Sequence, residues 1–453
     1  MVRLSDADSF AKAAPEELLA KVGQIIEAEI NRTSLFTPNV LENVSVFRRE
    51  EIQLGKVVGR GGFGVVREIT SIHLSGGNAV CQGALSVRSS QRRFRWESGS
   101  ARSSSRDPVD VGSSQRELLA RKVWSKRTSR YVLKEVEPTL LDTDKVQFLK
   151  GLIDLGLEAY YLGSLNHNHV LKLRGMSIDS ASESLGYFIV LDQLQEVLSK
   201  KLNRWMHEKR ASNGITGVVT GGRKNKERLL MERVLVAYDV ADAMEYIHRK
   251  KIVFRDLKVR GQWLLRLICA MSGKAETYVF SVTSISQHDN IGFDTDNILK
   301  IFDFGLAKEL QESEFDEETG LYHMTGMTGA LRYMAPEVGL LRPYNQKVDV
   351  YSWSMLMWYI MALEPPLGMY TQKMFIERVF GKGYRPALKD KWPEGIKSLI
   401  REGWDDDHNV RPDFTTIKRR LKAFAKENDS EIAKLMGDDD RSKSSKKLGT
   451  ERS

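Results

Sequence analysis

Gly59-Arg60-Gly61-Gly62-Phe63-Gly64-Val65-Val66 lies between Ile52-Gln53-Leu54-Gly55-Lys56-Val57-Val58 and Arg67-Glu68-Ile69-Thr70-Ser71-Ile72. Residues without a Cβ let backbone N–H groups come close to an anion, so glycines at this spacing can cradle a phosphate. Glycine triplets also open the helix of a dinucleotide-binding turn, and the flank tells the two apart. Here the residues after the last glycine are β-branched and continue as a strand. The segment therefore predicts a strand, glycine loop, strand hairpin, with Phe63 at its tip to cap the phosphates and Val66 beyond it to lie against a base.

Working outward, residues from about 75 to 129 are rich in Ser, Arg and Gly. From Ser86 to Arg130 there are twelve Arg or Lys against four Asp or Glu, which is most of the chain's net charge of +9. This stretch reads as a solvated insert. Aromatic residues are sparse in it and no recognition fold accompanies it, which argues against a nucleic-acid partner. Strand-like runs resume at Arg130–Val136 and Tyr187–Leu191. After Leu194 the pattern turns helical, with Leu230, Val234, Ala237, Val240, Ala241, Met244 and Ile247 at helical spacing. Upstream, Pro15 to Ile30 predicts a helix with Pro in its first turn, either a flanking element or a docking one. The last 29 residues are charged, with Lys-Ser repeats, and read as a disordered tail.

A chain of 453 residues that is 41% hydrophobic is long enough for two or three units with real cores. Its two cysteines, Cys81 and Cys269, exclude a disulfide framework and suit a reducing compartment. No apolar run follows the N-terminal Met1-Val2-Arg3, so no signal peptide is expected. The most apolar run, Tyr351–Leu363, is too short for a bilayer and predicts a buried helix. The expectation is a soluble, cytoplasmic protein with no membrane partner, the nucleus being the alternative compartment.

Further motifs follow in a fixed order. They are Tyr131-Val132-Leu133-Lys134, a helical stretch holding Glu158, Phe254-Arg255-Asp256-Leu257-Lys258, Asp303-Phe304-Gly305 and Met334-Ala335-Pro336-Glu337. Together with the glycine loop they resemble the protein kinase family of the Ser/Thr type, over about residues 51 to 424. Val348-Asp349-Val350-Tyr351-Ser352-Trp353 is similar in style to the tyrosine-kinase-like group of Ser/Thr kinases.

The resemblance implies an α+β, two-lobed fold: a small β-rich lobe with one regulatory helix over about 51–192, and a larger helical lobe over about 193–424. It implies ATP and Mg2+ as cofactors and Ser/Thr-containing proteins as substrates. Gly59, Arg60, Gly61, Gly62, Phe63, Gly64 and Val66 would enclose the nucleotide. Lys134 would hold the α- and β-phosphates, oriented by Glu158. Leu191 falls at the gatekeeper position and Asp192 to Leu194 at the hinge that bonds adenine. Asp256 would take the substrate proton, Lys258 would balance charge on the phosphoryl group, and Asp303 would bind metal. Phe254 stands where the family has His. Asp349 would hold the catalytic-loop backbone, and Glu337 would pair with Arg411. Thr325 and Thr328, in the activation segment, are candidates for phosphorylation by an upstream kinase or by the chain itself, with Arg255 as the phosphate's partner. Ala330 stands where many Ser/Thr kinases have Thr.

The family also has an Asn five residues after the catalytic Asp, and here that position is Gly261. Asn290 and Asn297 are the candidates further on. Thirteen residues separate Asn290 from Asp303, the family's spacing, whereas Asn297 lies too close for the intervening hairpin. Removing Val259–Gln287 joins Lys258 to His288-Asp289-Asn290 and restores the family's spacing on both sides. Asn290 is therefore the expected second metal ligand, and 259–287 an insertion, either a retained intron or a true loop. Should it disrupt the catalytic loop, the alternative function is a pseudokinase scaffold.

Overall fold

A computed structural model describes residues 14–36, 39–61, 63–74, 111–125, 128–213, 222–259 and 289–436. Gly62, most of the basic insert, residues 260–288 and the end of the tail therefore lie outside the described residues.

The chain enters through α1 (Pro15–Arg32), with Pro at the position whose N–H no helix needs. The strands β1 (Ser45–Phe47), β2 (Ile52–Arg60) and β3 (Gly64–Ile72) follow, the last two forming the hairpin expected around the glycine loop. Beyond the insert come α2 (Val111–Arg121), β4 (Tyr131–Val136), α3 (Lys145–Ser164), β5 (Leu173–Ser177) and β6 (Phe188–Asp192). The strands form one six-stranded sheet in the order β1-β5-β6-β4-β3-β2, antiparallel except for β1 against β5.

Strand alternation sorts side chains to the two faces of this sheet. Tyr131 and Leu133 of β4 join Phe47, Ile69, Phe188 and Val190 in a cluster on the outer face. Val132 and Val136 join the main core, where α3 packs, and Lys134 shares their parity on the strand. The sheet's pleat thus turns Lys134 towards α3. Asp144 caps that helix by accepting from the Gln147 N–H at 3.0 Å.

The helical lobe contains α4 (Leu198–Asn213), α5 (Gly222–Arg249), the short strands β7 (Ile291–Phe293) and β8 (Leu299–Ile301), α6 (Lys347–Ala362), α7 (Glu394–Gly403), α8 (Phe414–Asn428) and α9 (Ser430–Leu435). Helix α6 is buried on every side from Val348 to Ala362, as its largely apolar run predicts, and the few polar residues in it are buried too. Among the described residues no helix is long and apolar enough to cross a membrane. The β-sheet lobe and helical lobe are the fold expected from the motifs.

Three boundaries differ from the sequence reading. The sheet takes in Ser45–Phe47, and α1 packs along α3, so the flank before residue 51 is joined to the small lobe. The end of the insert is also structured. Leu119 and Val123 cover the outer face of the sheet, and Arg116 donates to both oxygens of buried Glu51 at 2.8 Å. A charge count across the stretch hides these apolar residues. Within the tail, read as disordered from residue 425, α8 continues to Asn428 and α9 spans Ser430–Leu435. Asp429 caps α9 by accepting from Glu431 and Ile432, and Ala425, Ala433 and Met436 are buried beneath the charged face.

Candidate active site

Lys134 extends from β4 between Val66 of β3 and Ile189 of β6, its pairing neighbours. Its Nζ donates to Glu158 Oε2 of α3 at 2.5 Å. Burial by itself would lower the Lys134 pKa, but the Glu158 and Asp303 carboxylates outweigh it and hold the ammonium well above its usual range.

The catalytic-loop residues meet across the interruption. Lys258 Nζ donates to Asp256 Oδ2 at 2.6 Å, and Asn290 Nδ2 donates to the same oxygen at 2.7 Å and to the Asp256 carbonyl at 2.9 Å. The backbone closes as well, since the Asn290 N–H reaches the Lys258 carbonyl at 3.3 Å. The chain therefore leaves at Val259 and returns at Asp289 with Asp256, Lys258 and Asn290 in one cluster. Asp289 anchors the return by accepting from the Ser199 N–H at 2.8 Å.

Asp349 of α6 supports the loop from below. With no exposed surface, it accepts from the backbone N–H groups of Phe254 and Arg255, each at 2.8 Å, and contacts His248 Nε2 at 2.9 Å. These bonds hold Arg255 at φ 64°, and Asp303 is likewise left-handed at φ 67°. Such backbone is costly for residues with a Cβ and persists where the surroundings over-determine it. Phe254 meets the Phe304 ring edge-on at 5.1 Å, so the residue that replaces His extends the apolar core.

Burial pushes the Asp256 carboxyl up to about 6, with Asp303 adding to the shift and Lys258 opposing it. Asp154, one turn before Glu158 on α3, is pushed up to about 7 by burial and by the Asp303 charge. Sequence reasoning missed Asp154; its spacing of four from Glu158 on the same helix face was the available signal. Carboxylates gathered in this way favour a bound cation. Asp256 Oδ1 and Asn290 Oδ1 are buried with no hydrogen-bond partner among the described residues, and such oxygens are the ligand type a hard divalent ion takes. The open Asn290 oxygen thus suits magnesium, while among the described residues no group of three or more His, Cys, Asp or Glu forms a metal site by itself.

The other expected residues are distributed as follows. Gly59 pairs with Val66, Arg60 pairs with Glu137, and the Gly61 N–H closes the loop onto the Gly64 carbonyl at 2.6 Å. Phe63, expected to cap the phosphates from the loop tip, is held against its neighbours. Its carbonyl accepts from the Glu137 N–H at 2.9 Å and its side chain lies beside Gly151 of α3, where the lack of a Cβ leaves room for it. Leu191 is buried on β6, and Asp192 takes a bidentate bond from Arg174 at 2.8 Å. Leu194 Cδ1 would lie 2.8 Å from a Cβ on Gly292, with the Phe302 ring 3.4 Å from the same point. Leu194 and Phe302 thus fold over a backbone that must be glycine, a relation no local motif announces.

In the activation segment, Arg255 Nη1 donates to Thr325 Oγ1 at 3.1 Å. Thr325 is exposed, whereas Thr328 is buried and donates to the Thr325 carbonyl at 3.1 Å. Glu337 meets Arg411 in a bidentate pair at 2.5 and 3.0 Å, with Arg411 almost wholly buried.

The protein tyrosine and serine/threonine kinase family model matches residues 134–421, more than half of the chain. The chain belongs to this family. Among similar kinases, serine/threonine-protein kinase VIK of Arabidopsis thaliana is 34% identical over 189 residues, 41% of this chain and 36% of that protein. Serine/threonine-protein kinase STY17 of the same plant is 28% identical over 208 residues, 46% of this chain and 29% of its own length. Mitogen-activated protein kinase kinase kinase mlk-1 of Caenorhabditis elegans is 25% identical over 287 residues, 63% of this chain and 24% of that protein. The chain thus spans about a third or less of the length of each of these kinases. The kinase family match begins at Lys134, so α1, the glycine loop and α2 precede it.

Proposed function

We propose that the chain transfers the γ-phosphoryl group of MgATP to Ser or Thr hydroxyls of protein substrates. The observation that carries this reading is the convergence of Asp256, Lys258 and Asn290 across residues 260–288. Lys134, oriented by Glu158, would hold the α- and β-phosphates beneath the glycine loop. Leu191 and the Asp192–Leu194 hinge would set the base, with Val66 above it. Asp256 would orient the substrate hydroxyl and accept its proton. Lys258, already on the Asp256 carboxylate, would balance charge on the moving phosphoryl group. Asn290 and Asp303 would hold magnesium, which when bound neutralises phosphate charge.

The family's use of ATP, the gathered carboxylates and the serine/threonine kinase names of the relatives support this assignment. The scaffold alternative would be favoured by loss of Lys134, Asp256 or Asp303, and the sequence keeps all three. We further propose that phosphate on Thr325 pairs with Arg255 and orders the segment; the exposure of Thr325 beside that guanidinium supports it over Thr328. Its low cysteine content suits work in the cytoplasm.

Transfer of labelled phosphate to a protein acceptor, followed by phosphoamino-acid analysis, tests the function. The full chain and a variant lacking 259–287 should label Ser or Thr, and Asp256→Asn should lower the rate by about 10²- to 10⁴-fold. Labelling that is absent from both forms, or that survives in Asp256→Asn, rejects the enzyme reading.

A further inference from the structure

The N-terminal flank lies outside the family match, yet it touches both the helix that carries Glu158 and the segment that follows Asp303. Leu18, Val22 and Ile26 recur every fourth residue and form the buried stripe of α1, which packs along α3. Two glycines of α3 provide seats for the flank, Gly156 for α1 and Gly163 for the chain beyond residue 36. A Cβ on Gly156 would meet Ile26 Cδ1 at 2.7 Å, and one on Gly163 would meet Val40 and Leu41 at 3.0 and 2.8 Å. Gly151, Gly156 and Gly163 weaken α3 as an isolated helix, so its register depends on what packs against it. Glu158 is on that same helix, two residues from Gly156.

After α1 the flank crosses to the segment that follows Asp303. The Ser34 N–H and Oγ donate to the Glu309 carboxylate at 3.0 and 2.5 Å, and Thr33 Oγ1 donates to it as well. Arg32 pairs with Glu314 at 3.1 Å. The Phe36 ring meets Tyr161 of α3 edge-on at 4.9 Å. Tyr161 in turn stacks on Phe304 at 6.0 Å and donates to the Ala307 carbonyl at 3.1 Å. One continuous piece of chain thus grips the helix carrying Glu158 and the segment carrying Asp303.

We propose that residues 15–36 are a built-in positioning element, which holds α3 and residues 303–309 in register so that Glu158 meets Lys134 and Asp303 faces the same site. Ile26, Thr33, Ser34 and Phe36 are its positioning residues. The expected effect on rate rests on the phosphotransfer reading; the hold on α3 does not.

The test uses the full chain with Ile26→Glu, Ile26→Leu and the pair Thr33→Val with Ser34→Ala. Hydrogen exchange is read along the chain, together with kcat and KM for ATP. Ile26→Glu puts a carboxylate into the seat at Gly156, while Ile26→Leu keeps it apolar. The Glu variant and the hydroxyl-free pair should each speed exchange at 303–309, and the Glu variant also in α3. Both should lower kcat/KM by about ten- to a hundred-fold, the scale of an ångström-size misplacement. Ile26→Leu should stay within a few-fold of the parent, and exchange in α6 should not change in any variant. Unchanged exchange at 145–164 and 303–309 in both disruptive variants overturns the proposal, as does an Ile26→Leu loss equal to that of Ile26→Glu. A parent chain without phosphotransfer would reject the proposed function, and the exchange results would still decide this inference.

Discussion

Arg411 has almost no exposed surface, and its charge is matched by the two Glu337 oxygens together with the Asp405 and Lys347 carbonyls. Taking one partner from a buried ion pair leaves a desolvated charge, which costs about 3–5 kcal/mol. Arg411→Met should therefore lower stability by an amount in that range, measured by denaturant unfolding, and should loosen the segment that ends at Glu337. A loss below about 1 kcal/mol would mean that water reaches the pair. Gly292 poses a different constraint, because Leu194 and Phe302 already occupy the space over it. Gly292→Leu should raise KM for ATP more than it lowers kcat, because it displaces the hinge side chain rather than Asp256. An unchanged KM would place Leu194 away from the base. Lys134, Asp256 and Asp303 were legible because each sits in a short contiguous motif. Asp154 was not, since a buried carboxylate beside Asp303 is visible only once α3 has docked.

At the scale of elements, α2 with Leu119, and Val123 just past its end, close the outer face of the sheet, and α2 carries Arg116 to Glu51, 65 positions away in sequence. Composition alone reads this helix as part of a solvated insert, because periodicity over so short a piece is masked by its charges. Arg116→Ala would leave Glu51 buried with the Arg48 N–H among its remaining donors. Unfolding free energy should fall by about 3 kcal/mol, with faster exchange in β2 and β3. A change within about 0.5 kcal/mol, the range of ordinary surface substitutions, would show the helix to be dispensable. The β2–β3 hairpin, by contrast, was readable residue by residue, because β-branched flanks and glycines act locally. Its tip was not: Phe63 rests on α3, a contact set by where Gly151 falls after packing.

In the molecule as a whole, the link between the end of α3, α5 and α8 passes through Asp242. Burial by itself would raise this carboxyl, but His167 and Lys418 hold it well below the usual carboxylate range. A carboxyl depressed in the folded state stabilises the protein above its unfolded pKa of about 4, and that contribution is lost as pH falls through the folded value. Asp242→Asn should cost about 1–3 kcal/mol at pH 7 and progressively less at pH values below about 4, as followed by denaturant unfolding. An equal cost at both pH values would exclude the linkage. The sequence by itself determined the kinase family, the hairpin, the two lobes and the chemical types at the site, since these rest on local spacing and alternation. It also pointed to Asn290, by counting residues on either side of the interruption. Only the tertiary structure decided whether Lys258 and Asn290 meet, how α1 grips α3, and where Asp154 and Phe63 lie. Those relations join residues tens to hundreds of positions apart, and burial sets them, which no local pattern encodes.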